Sequence, residues 1–567
     1  MTVAILGGGI SGLSAAYYLA RFAPPTTKIL LIEGKNRVGG WIQSQRVAPG
    51  NYDFKNNMPQ ESEDKDDILF ESGARSLRPK GVNGAIMLEM IHHLKLHEDD
   101  NLLCVPKTDP SAQHRYIYYK DKINTVPTGI ASLLTHKPPP VFKSVISAGI
   151  LELFRPSRFN SQGELKDPNG ADETIYAFMK RRFNEHTAIN LLGALGHGIY
   201  AGDIKELSVK STMRFLYEAE RVHGSVVKSM ILGNKNTGSM RERGLAVRSR
   251  NADPEWFGKM EKNSVIGFRD GLESLPRKLR AWLENCPNVE ILTGEPVESI
   301  QTVSHDQEIK IKTKSKDIFA EHVISTLPSI DLKKTLQQKP LPHLCHNPSV
   351  DVAVVNMAYS PEEATLKYDG FGFLTPHRDT KYPMPLPGTL GVIFDSNALK
   401  GQDTKKCVKL TAMMGGSDWK DAFGNVPIDQ LDPKDAYDYA RKVMDTYLGI
   451  RADPTHSLVN LSKQCIPQYL VGHESRMLEL HHAVKANYGH LMSLTGASYL
   501  GPSVPDCIKH SRMLVEELLV SGALATDKSR RQKVVTGLGK TVEGNNTDEI
   551  KDSERISKGN LNVIMNA

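Results

Sequence analysis

The sequence predicts an α/β protein with a Rossmann-like nucleotide-binding domain, a strand-rich second domain and a helical third domain. Three observations lead to this prediction. Residues 2–33 read as strand, glycine-rich turn, helix and strand, the order of a βαβ unit. Residues 331–461 carry short apolar runs of strand length. Much of residues 86–254 instead has apolar residues at helical spacing.

The turn of the first βαβ unit matches the dinucleotide fingerprint G-x-G-x-x-G. An apolar run at residues 3–6 leads into Gly7, Gly8, Gly9, Ile10, Ser11 and Gly12. A second apolar run at residues 29–32 ends on Glu33, about 20 residues beyond the last glycine, where this fingerprint places an acid. Because strand, turn, helix, strand and acid occur in register, the pattern indicates a nucleotide site rather than an ordinary turn.

Each position of the fingerprint has a physical reason. Gly7 permits the tight turn, Gly9 lets the backbone approach a pyrophosphate, and Gly12 lets the helix pack closely on the strand. The N-terminus of the helix offers free N–H groups to an anion. Glu33 can accept hydrogen bonds from ribose hydroxyls and would repel a 2′-phosphate, so NADP is disfavoured.

The residues after Glu33 identify the nucleotide. Arg37, Gly39, Gly40 and Trp41 follow the acid closely. This arrangement resembles the flavoprotein superfamily of amine oxidases, phytoene desaturases and protoporphyrinogen oxidases. In that superfamily the arginine and the paired glycines bring a second loop onto the FAD pyrophosphate. The resemblance therefore implies FAD.

Composition limits the other classes of function. A length of 567 residues predicts about three or four domains' worth of chain. The net charge of +6 is modest and no basic run is interleaved with aromatics, so we expect no nucleic-acid partner. The six cysteines are scattered, and no metal site is expected. We also expect no secretory signal, and no run approaches about 18 apolar residues.

The chain order predicts a discontinuous nucleotide-binding domain. It comprises residues 1–85, 255–330 and 462–522, with a helical domain at 86–254, a substrate-binding domain at 331–461 and a disordered tail at 523–567. The acidic run at 61–67 reads as a solvated insertion. Residues 127–155 form two apolar pieces around Pro138-Pro139-Pro140, which can pack in a core or lie in a bilayer interface.

Motifs throughout residues 2–520 resemble the protoporphyrinogen oxidase family. They include GGGISGL, RVGGWI, YAGD at 200–203, CIPQY at 465–469 and GASY at 496–499. The resemblance implies oxidation of protoporphyrinogen IX to protoporphyrin IX, the penultimate step of haem biosynthesis. Six hydrogens are removed, and molecular oxygen reoxidises the FAD and forms peroxide. It also implies a peripheral position on the mitochondrial inner membrane, with residues 127–155 facing the bilayer. It leaves open a homodimer and product hand-over to ferrochelatase.

The same resemblance assigns site residues. The FAD-binding positions are Gly7, Gly8, Gly9, Ile10, Ser11, Gly12, Glu33, Gly34, Arg37, Gly40, Trp41, Gly73, Ala74, Arg75, Ser76, Val297, Ala497, Pro502, Ser503 and Val504. Arg115 corresponds to the arginine that pairs with a substrate propionate. The apolar wall and pocket edge are Phe371, Leu374, Met413, Ala201 and Gly202. No side chain is assigned as a catalytic base, because the pyrrole protons can leave to water.

Two alternatives stay open at this point. A flavin amine oxidase shares the FAD scaffold but encloses its amine between aromatic side chains, which Tyr499 alone does not supply. A non-enzymatic binding protein like the GDP-dissociation inhibitors has the same fold. The complete nucleotide fingerprint argues against it, because such proteins do not need an intact flavin site.

Overall fold

The computed structural model describes residues 1–50, 64, 67–98, 100–127, 139–167, 170, 172–233, 238–303, 308–346, 348–525 and 533–539. Most of the acidic run at 61–67 lies outside the described residues. So do residues 128–138, which hold the first apolar piece predicted in the 127–155 stretch, and residues 540–567 of the predicted tail.

The described strands are β1 Thr2–Leu6, β2 Lys28–Ile32, β3 Ser44–Val47, β4 Ile68–Glu71, β5 Leu102–Pro106, β6 Arg115–Tyr119, β7 Lys122–Val126, β8 Asn263–Phe268, β9 Val289–Leu292, β10 Val297–Val303, β11 Glu308–Thr313, β12 Asp317–Ala320, β13 His322–Ser325, β14 Ser349–Tyr359, β15 Gly372–Leu374, β16 Thr389–Ile393, β17 Val408–Gly415, β18 His456–Pro467 and β19 Met492–Leu494.

The described α-helices are α1 Ile10–Phe22, α2 Gly81–His93, α3 Pro110–Gln113, α4 Lys143–Glu152, α5 Ile175–Arg182, α6 Glu185–Thr187, α7 Gly193–Tyr200, α8 Val209–Thr212, α9 Arg214–His223, α10 Val226–Leu232, α11 Met240–Arg250, α12 Pro254–Met260, α13 Ser274–Glu284, α14 Ser329–Thr335, α15 Asp395–Ala398, α16 Trp419–Phe423, α17 Pro433–Val443, α18 His473–Tyr488 and α19 Val504–Val520.

A parallel sheet forms the nucleotide-binding half, with strand order β19-β13-β1-β2-β9. Its strands come from both ends of the chain and from the region between. Alternate side chains of β1 enter different cores: Val3 and Ile5 pack with α1 and α19, while Ala4 and Leu6 pack with α18. Burial on both faces explains why this strand reads as a continuous apolar run.

A seven-stranded sheet forms the second half, with strand order β18-β14-β17-β16-β15-β6-β7. All neighbouring strands are antiparallel except β15 and β6. One face packs on α17 through residues such as Leu410, Ala412 and Met414. The opposite face carries the intervening side chains of the same strands and is the face on which the predicted substrate residues lie.

The predicted helical domain at 86–254 is too large, because two of its parts belong elsewhere. Helices α2 and α11 bury Ile86 and Leu245 in the same core as α1 and α19. Strands β6 and β7 complete the seven-stranded sheet. A smaller helical unit remains, with its own core running from Ala148 to Val226. Helical periodicity shows that one face is buried but does not show against which partner.

The predicted disordered tail also needs correction where the structure describes it. Residues 533–539 lie along β19: Leu494 N donates to Thr536 O at 2.8 Å, and Val535 and Leu538 are buried in the two cores that flank the parallel sheet. The segment was predicted to be disordered because it has few apolar residues. Those few fill gaps beside an edge strand whose backbone groups need partners.

Candidate functional site

The glycine turn after β1 forms an open anion cradle. A Cβ placed on Gly12 would lie 1.8 Å from the Gly7 carbonyl oxygen, so only glycine fits there. A Cβ on Gly9 would instead meet only the Gly40 Cα, at 3.9 Å, which leaves space above this backbone. Helix α1 begins without a side-chain cap or an acidic first turn. Its first N–H groups therefore point into the cradle and suit a pyrophosphate.

A second loop closes over this cradle. Gly39 N donates to Gly8 O at 2.8 Å, which brings Gly40 beside Gly9. The Arg37 guanidinium donates to Gly40 O at 2.6 Å and to Ile42 O at 3.2 Å. Arg37 thus shapes the loop through backbone carbonyls, and its contribution to the nucleotide site is to hold Gly40 and Trp41 in place.

Glu33 lies directly under the cradle. Its carboxylate accepts hydrogen bonds from Gly8 N at 2.6 Å and Lys35 N at 2.8 Å. Gly34 packs on Pro296, so Val297 at the start of β10 lies beside this acid. The consecutive predicted positions Glu33 and Gly34 therefore lie beside Val297, which is far from them in the sequence.

The last predicted cofactor positions lie at the other end of the cradle. A Cβ on Gly496 would lie 3.4 Å from Ser11 Oγ, which places Ala497 beside the N-terminus of α1. Pro502 and Ser503 precede α19, and Ser503 caps that helix through Asp506 N. A cavity of about 740 Å³ opens next to them. Its lining includes Tyr200, Tyr499, Pro502, Ser503 and Arg78. Pro502 and Ser503 at the start of α19 therefore lie at the edge of this cavity, whose lining includes no residue of the Gly7 to Gly12 turn.

The loop Gly73 to Ser76 joins the two halves of the molecule. Arg75 Nη1 lies 2.6 Å from Asp395 Oδ1, and both side chains are almost fully buried. Asp395 also accepts a hydrogen bond from Thr411 on β17. The guanidinium of this predicted cofactor residue therefore holds the loop against the seven-stranded sheet, which leaves the loop backbone as the part that can meet a cofactor.

The predicted substrate residues lie along the open face of the seven-stranded sheet. Leu374 on β15 and Met413 on β17 both pair with Gly391 on β16, so the three residues lie in one row across the sheet. Because Gly391 has no side chain, a gap remains between the leucine and the methionine. Arg115 is the first residue of β6. Tyr116 and Tyr118 of the same strand enter the core on the other side of the sheet, so Arg115 lies on the face of Leu374 and Met413. Phe371 N donates to His114 O, which places this phenylalanine next to the arginine.

The pocket edge and the wall form one apolar cluster. Ala201 packs with Val352, Val354 and Leu390, and Met413 lies against them. Gly202 follows Ala201 and contacts the Gln468 side chain. The sequence prediction did not include Val352 and Val354, although their alternation within β14 was the available signal. Gln468 and Asp395 were also missed. Gln468 was inside the CIPQY motif that carried the resemblance.

Arg115 and Arg78 are two exposed arginines close enough to interact electrostatically. Desolvation lowers the pKa of Arg115, and the nearby positive charge of Arg78 lowers it further. Within the part of the chain that the structure describes, neither guanidinium has a hydrogen bond or a carboxylate partner. Two such cations side by side are stabilised by an anionic ligand that supplies the missing negative charge.

No group of histidine, cysteine and acidic side chains suited to a metal ion is present among the described residues. One titratable group at the nucleotide end, His473, is buried. Burial lowers the pKa of His473 to about 4, and its Nε2 lies 2.9 Å from Tyr499 O. The imidazole also stacks on Tyr469 at 4.2 Å between ring centroids. His473 therefore supports the Tyr499 loop beside the cofactor positions.

Comparison with known proteins agrees with this geometry. The family described as flavin containing amine oxidoreductase matches residues 10–490. The chain is 34% identical over 525 residues to protoporphyrinogen oxidase of Homo sapiens, covering 91% of this chain and 98% of that protein. It is 32% identical to protoporphyrinogen oxidase of Schizosaccharomyces pombe, with the same two shares. The crystal structure of a putative protoporphyrinogen oxidase from Exiguobacterium superposes with a TM-score of 0.67 at 21% identity. It covers 91% of this chain and 98% of its own, and supports the fold.

Proposed function

Since the chain belongs to the flavin-containing amine oxidoreductases and, within them, to the protoporphyrinogen oxidase family, we propose that it oxidises protoporphyrinogen IX to protoporphyrin IX. The predictions of family and cofactor are confirmed: the chain is an FAD-dependent oxidoreductase. The proposal further holds that molecular oxygen is the final acceptor and that the reaction is the penultimate step of haem biosynthesis. Bound FAD supplies the hydride acceptor.

The observation that carries the substrate proposal is the pairing of an apolar wall with a cation on one sheet face. Met413 and Leu374 are partly exposed on this face, Ala201 is buried against Val352 and Val354 beside them, and Arg115 lies on the same face. Protoporphyrinogen IX is an apolar macrocycle of four pyrrole rings joined by methylene bridges, with two carboxylates. It needs an apolar slot and charge-assisted anchors more than it needs an acid or a base.

The residues of this face bind, orient and exclude water. Lys409, the one buried lysine on this face among the described strands, already donates to Leu69 O and Gln402 Oε1, each at 3.0 Å. Asp395 is occupied by Arg75. We therefore assign no proton acceptor, and the catalytic contribution of the chain is to place the reacting carbon next to the flavin.

The test is an aerobic assay with protoporphyrinogen IX, read by porphyrin fluorescence. Arg115→Ala should raise KM about 10- to 100-fold, because a charge-assisted hydrogen bond contributes about 1.5–3 kcal/mol. Flavin content should stay at the wild-type level, and Arg115→Lys should recover part of the affinity. Arg451→Ala, at an exposed arginine remote from this face, is the control. An unchanged KM would remove the anchor role, and turnover of amines without turnover of porphyrinogen would favour an amine oxidase.

Arg78 supplies the second carboxylate anchor in this proposal. It lies close enough to Arg115 to affect its pKa, and it lines the cavity beside Pro502 and Ser503. Arg78→Ala should raise KM by about the same factor as Arg115→Ala if each guanidinium holds one propionate. The double variant should be weaker than either single variant. Equal KM values for Arg115→Ala and the double variant would limit the anchor to Arg115.

We also propose peripheral binding to the mitochondrial inner membrane through the ends of α4 and α10. Ile150, Leu151 and Phe154 are exposed around the end of α4, and Met230, Ile231 and Leu232 are exposed on α10. Among the described helices, none is both long and apolar enough to cross a bilayer. The two exposed groups are held together by the buried Glu152, which pairs with Arg182 and accepts from Val226 N at 2.9 Å at the start of α10.

Vesicle co-sedimentation tests this surface. The variant Phe154→Ser with Ile231→Ser should lose most binding to vesicles of phosphatidylcholine and cardiolipin, because two large apolar side chains contribute about 1.5–3 kcal/mol each. Its activity in detergent should stay unchanged. Phe319→Ser, at an exposed phenylalanine on β12, is the control. Full binding by the double variant would contradict this surface. A homodimer and hand-over of product to ferrochelatase remain part of the proposal.

A further inference from the structure

The turn after α7 has an unusual backbone for its sequence. Ala201 has φ 47° and ψ 33°, the left-handed conformation that glycine adopts most readily. Its side chain is buried, and its N–H donates to His197 O at 3.0 Å. A buried non-glycine residue keeps this conformation only when its surroundings hold it there.

A backbone group and a side-chain group from two other segments of the chain hold this turn. Ser417 N donates to Ala201 O at 2.8 Å. Gln468 Nε2 donates to Tyr200 O at 2.8 Å. The turn is thus held by a residue that follows β17 and by a residue that follows β18. Neither hydrogen bond involves a charged group.

The charged partner of the turn is Asp203. Its carboxylate accepts from His377 Nε2 at 3.0 Å, from Arg378 Nη2 at 2.8 Å and from Lys205 N at 2.7 Å. Burial alone would raise the pKa of Asp203, but the hydrogen bonds from His377, Lys205 N and Arg378 outweigh it and hold the pKa far below its usual range. His377 is itself buried, and its Nδ1 accepts from Asp379 N at 3.1 Å. The two contacts fix the His377 ring with its Nε2 aimed at Asp203.

The turn that Asp203 anchors forms one side of the apolar slot. Ala201 packs with Val352 and Met413, and Tyr200 lines the cavity beside the cofactor positions. One turn earlier, Gly198 leaves room for the Leu374 side chain, which a Cβ would approach at 2.7 Å. A shift of this turn would change the distance between the helix and the sheet wall at all of these contacts.

We propose that Asp203 is a positioning residue that holds Ala201 in its left-handed conformation and thereby sets the width of the substrate slot. The inference rests on the proposed function, because the slot matters only if the macrocycle binds there. Asp203 touches neither substrate nor cofactor in this role. It acts through the backbone of residues 200–202.

The experiment compares Asp203→Ala, Asp203→Asn and the double variant Asp203→Ala with Ala201→Gly, all as FAD-loaded full-length protein. Asp203→Ala should raise KM for protoporphyrinogen IX about 10-fold with kcat nearly unchanged, because the macrocycle is bound less well. Asp203→Asn keeps one acceptor and should give a smaller rise. Ala201→Gly should restore KM in the Asp203→Ala background, because glycine adopts the left-handed conformation without steric cost.

A merely structural role predicts a different result. Loss of general stability would lower the melting temperature in Asp203→Ala and would not be corrected by glycine at position 201. Asp331→Ala, which removes an exposed pair with Lys334 on α14, is the control and should keep the wild-type KM. If Asp203→Ala is not recovered folded, the Asp203→Asn pair with and without Ala201→Gly gives the same comparison. An unchanged KM, or a raised KM that glycine does not restore, would overturn the inference. Lack of any activity in the wild type would instead refute the proposed function.

Discussion

The two halves of this molecule form their binding surfaces in opposite ways. The cofactor half uses backbone: Gly9, Gly40 and the first turn of α1 offer N–H groups and open space. The substrate half uses side chains from strands that are far apart in sequence, such as Arg115 and Met413. A site made of backbone groups tolerates almost no substitution of its glycines. A surface made of side chains can lose one of them and still bind its ligand, with lower affinity.

This contrast predicts how substitutions separate the two functions. Changes in the cofactor half should remove flavin and folded protein together, because the same glycines shape the nucleotide cradle and the helix–strand packing. Changes on the sheet face should alter KM while flavin content stays constant. The ion pair of Arg75 with Asp395 joins the two halves, so its loss should affect both stability and flavin retention.

The largest effect is expected for Gly12→Ala. Its Cβ would lie 1.8 Å from Gly7 O, and a clash with backbone cannot be relieved by a side-chain rotation. The variant should lack flavin absorbance and lose about 4 kcal/mol or more of stability. Gly244→Ala on α11, where a Cβ meets nothing within 4 Å, should be neutral or stabilising by about 0.5–1 kcal/mol. Flavin-loaded Gly12→Ala would show that the cradle is looser than described.

The second effect is expected at the junction between the halves. Arg75→Met leaves Asp395 buried without a counter-charge, which costs about 3–5 kcal/mol. The melting temperature should fall and flavin should dissociate more readily, since the Gly73 to Ser76 loop loses its tie to the sheet. Arg280→Met removes an exposed pair with Glu284 and should cost only about 0.3–0.5 kcal/mol. Equal effects of the two variants would show that the buried pair does not join the halves.

The third effect is an acid sensitivity of the cofactor half. His473 has a folded pKa of about 4 because burial disfavours its charged form, while an unfolded histidine titrates near 6.5. Between these values the unfolded chain binds a proton that the folded protein does not, so stability is lost as pH falls from about 6.5 toward 4. The loss approaches about 3 kcal/mol.

His473→Gln should flatten this part of the profile, measured as melting temperature against pH. Glutamine can still donate to Tyr499 O but cannot titrate, so the variant should lose less stability than the wild type between pH 6.5 and 4. His346→Gln, at an exposed histidine, should keep the wild-type slope. A parallel pair of curves for wild type and His473→Gln would assign the acid sensitivity to other groups.

The same contrast explains how much the sequence could predict. The cofactor site could be predicted because most of its residues lie in one short stretch of sequence. The spacing of Gly7 to Gly12 and Glu33 is enough to predict the turn and the helix N-terminus that they form. The predicted α/β class with a nucleotide-binding sheet is accordingly what the structure has. The substrate half depends on the register of strands hundreds of residues apart, and only the family resemblance pointed to Leu374 and Met413.

The remaining differences have the same origin. Asp395 has no local signature, because its role arises from its partner Arg75. Gln468 lies in the CIPQY motif, but that motif does not reveal its contact with the Tyr200 carbonyl. Residues 240–250 are rich in arginine, yet Ser239 and Glu242 form a capping box that begins the helix α11 there. Its arginines pair with acids on other helices, for example Arg248 with Glu516. Tertiary ion pairs of this kind cannot be seen in a single window of sequence.

The smallest effect is expected for Met413→Ala, and its neighbour makes the comparison sharp. Met413 and Met414 are consecutive on β17 and point to opposite faces: Met413 lies in the apolar wall, whereas Met414 is fully buried against the α17 side. Met413→Ala removes wall area that the macrocycle would cover, which costs about 1–2 kcal/mol of binding and raises KM about 10-fold. Met414→Ala should instead cost about 2–5 kcal/mol of stability, because it leaves a cavity in the core, and should leave KM unchanged. Steady-state assays and thermal unfolding of both variants decide the matter. If Met414→Ala raised KM and Met413→Ala lowered stability instead, the macrocycle would bind on the opposite face of the sheet from the one proposed. The contrast between a backbone half and a side-chain half would then fail as well.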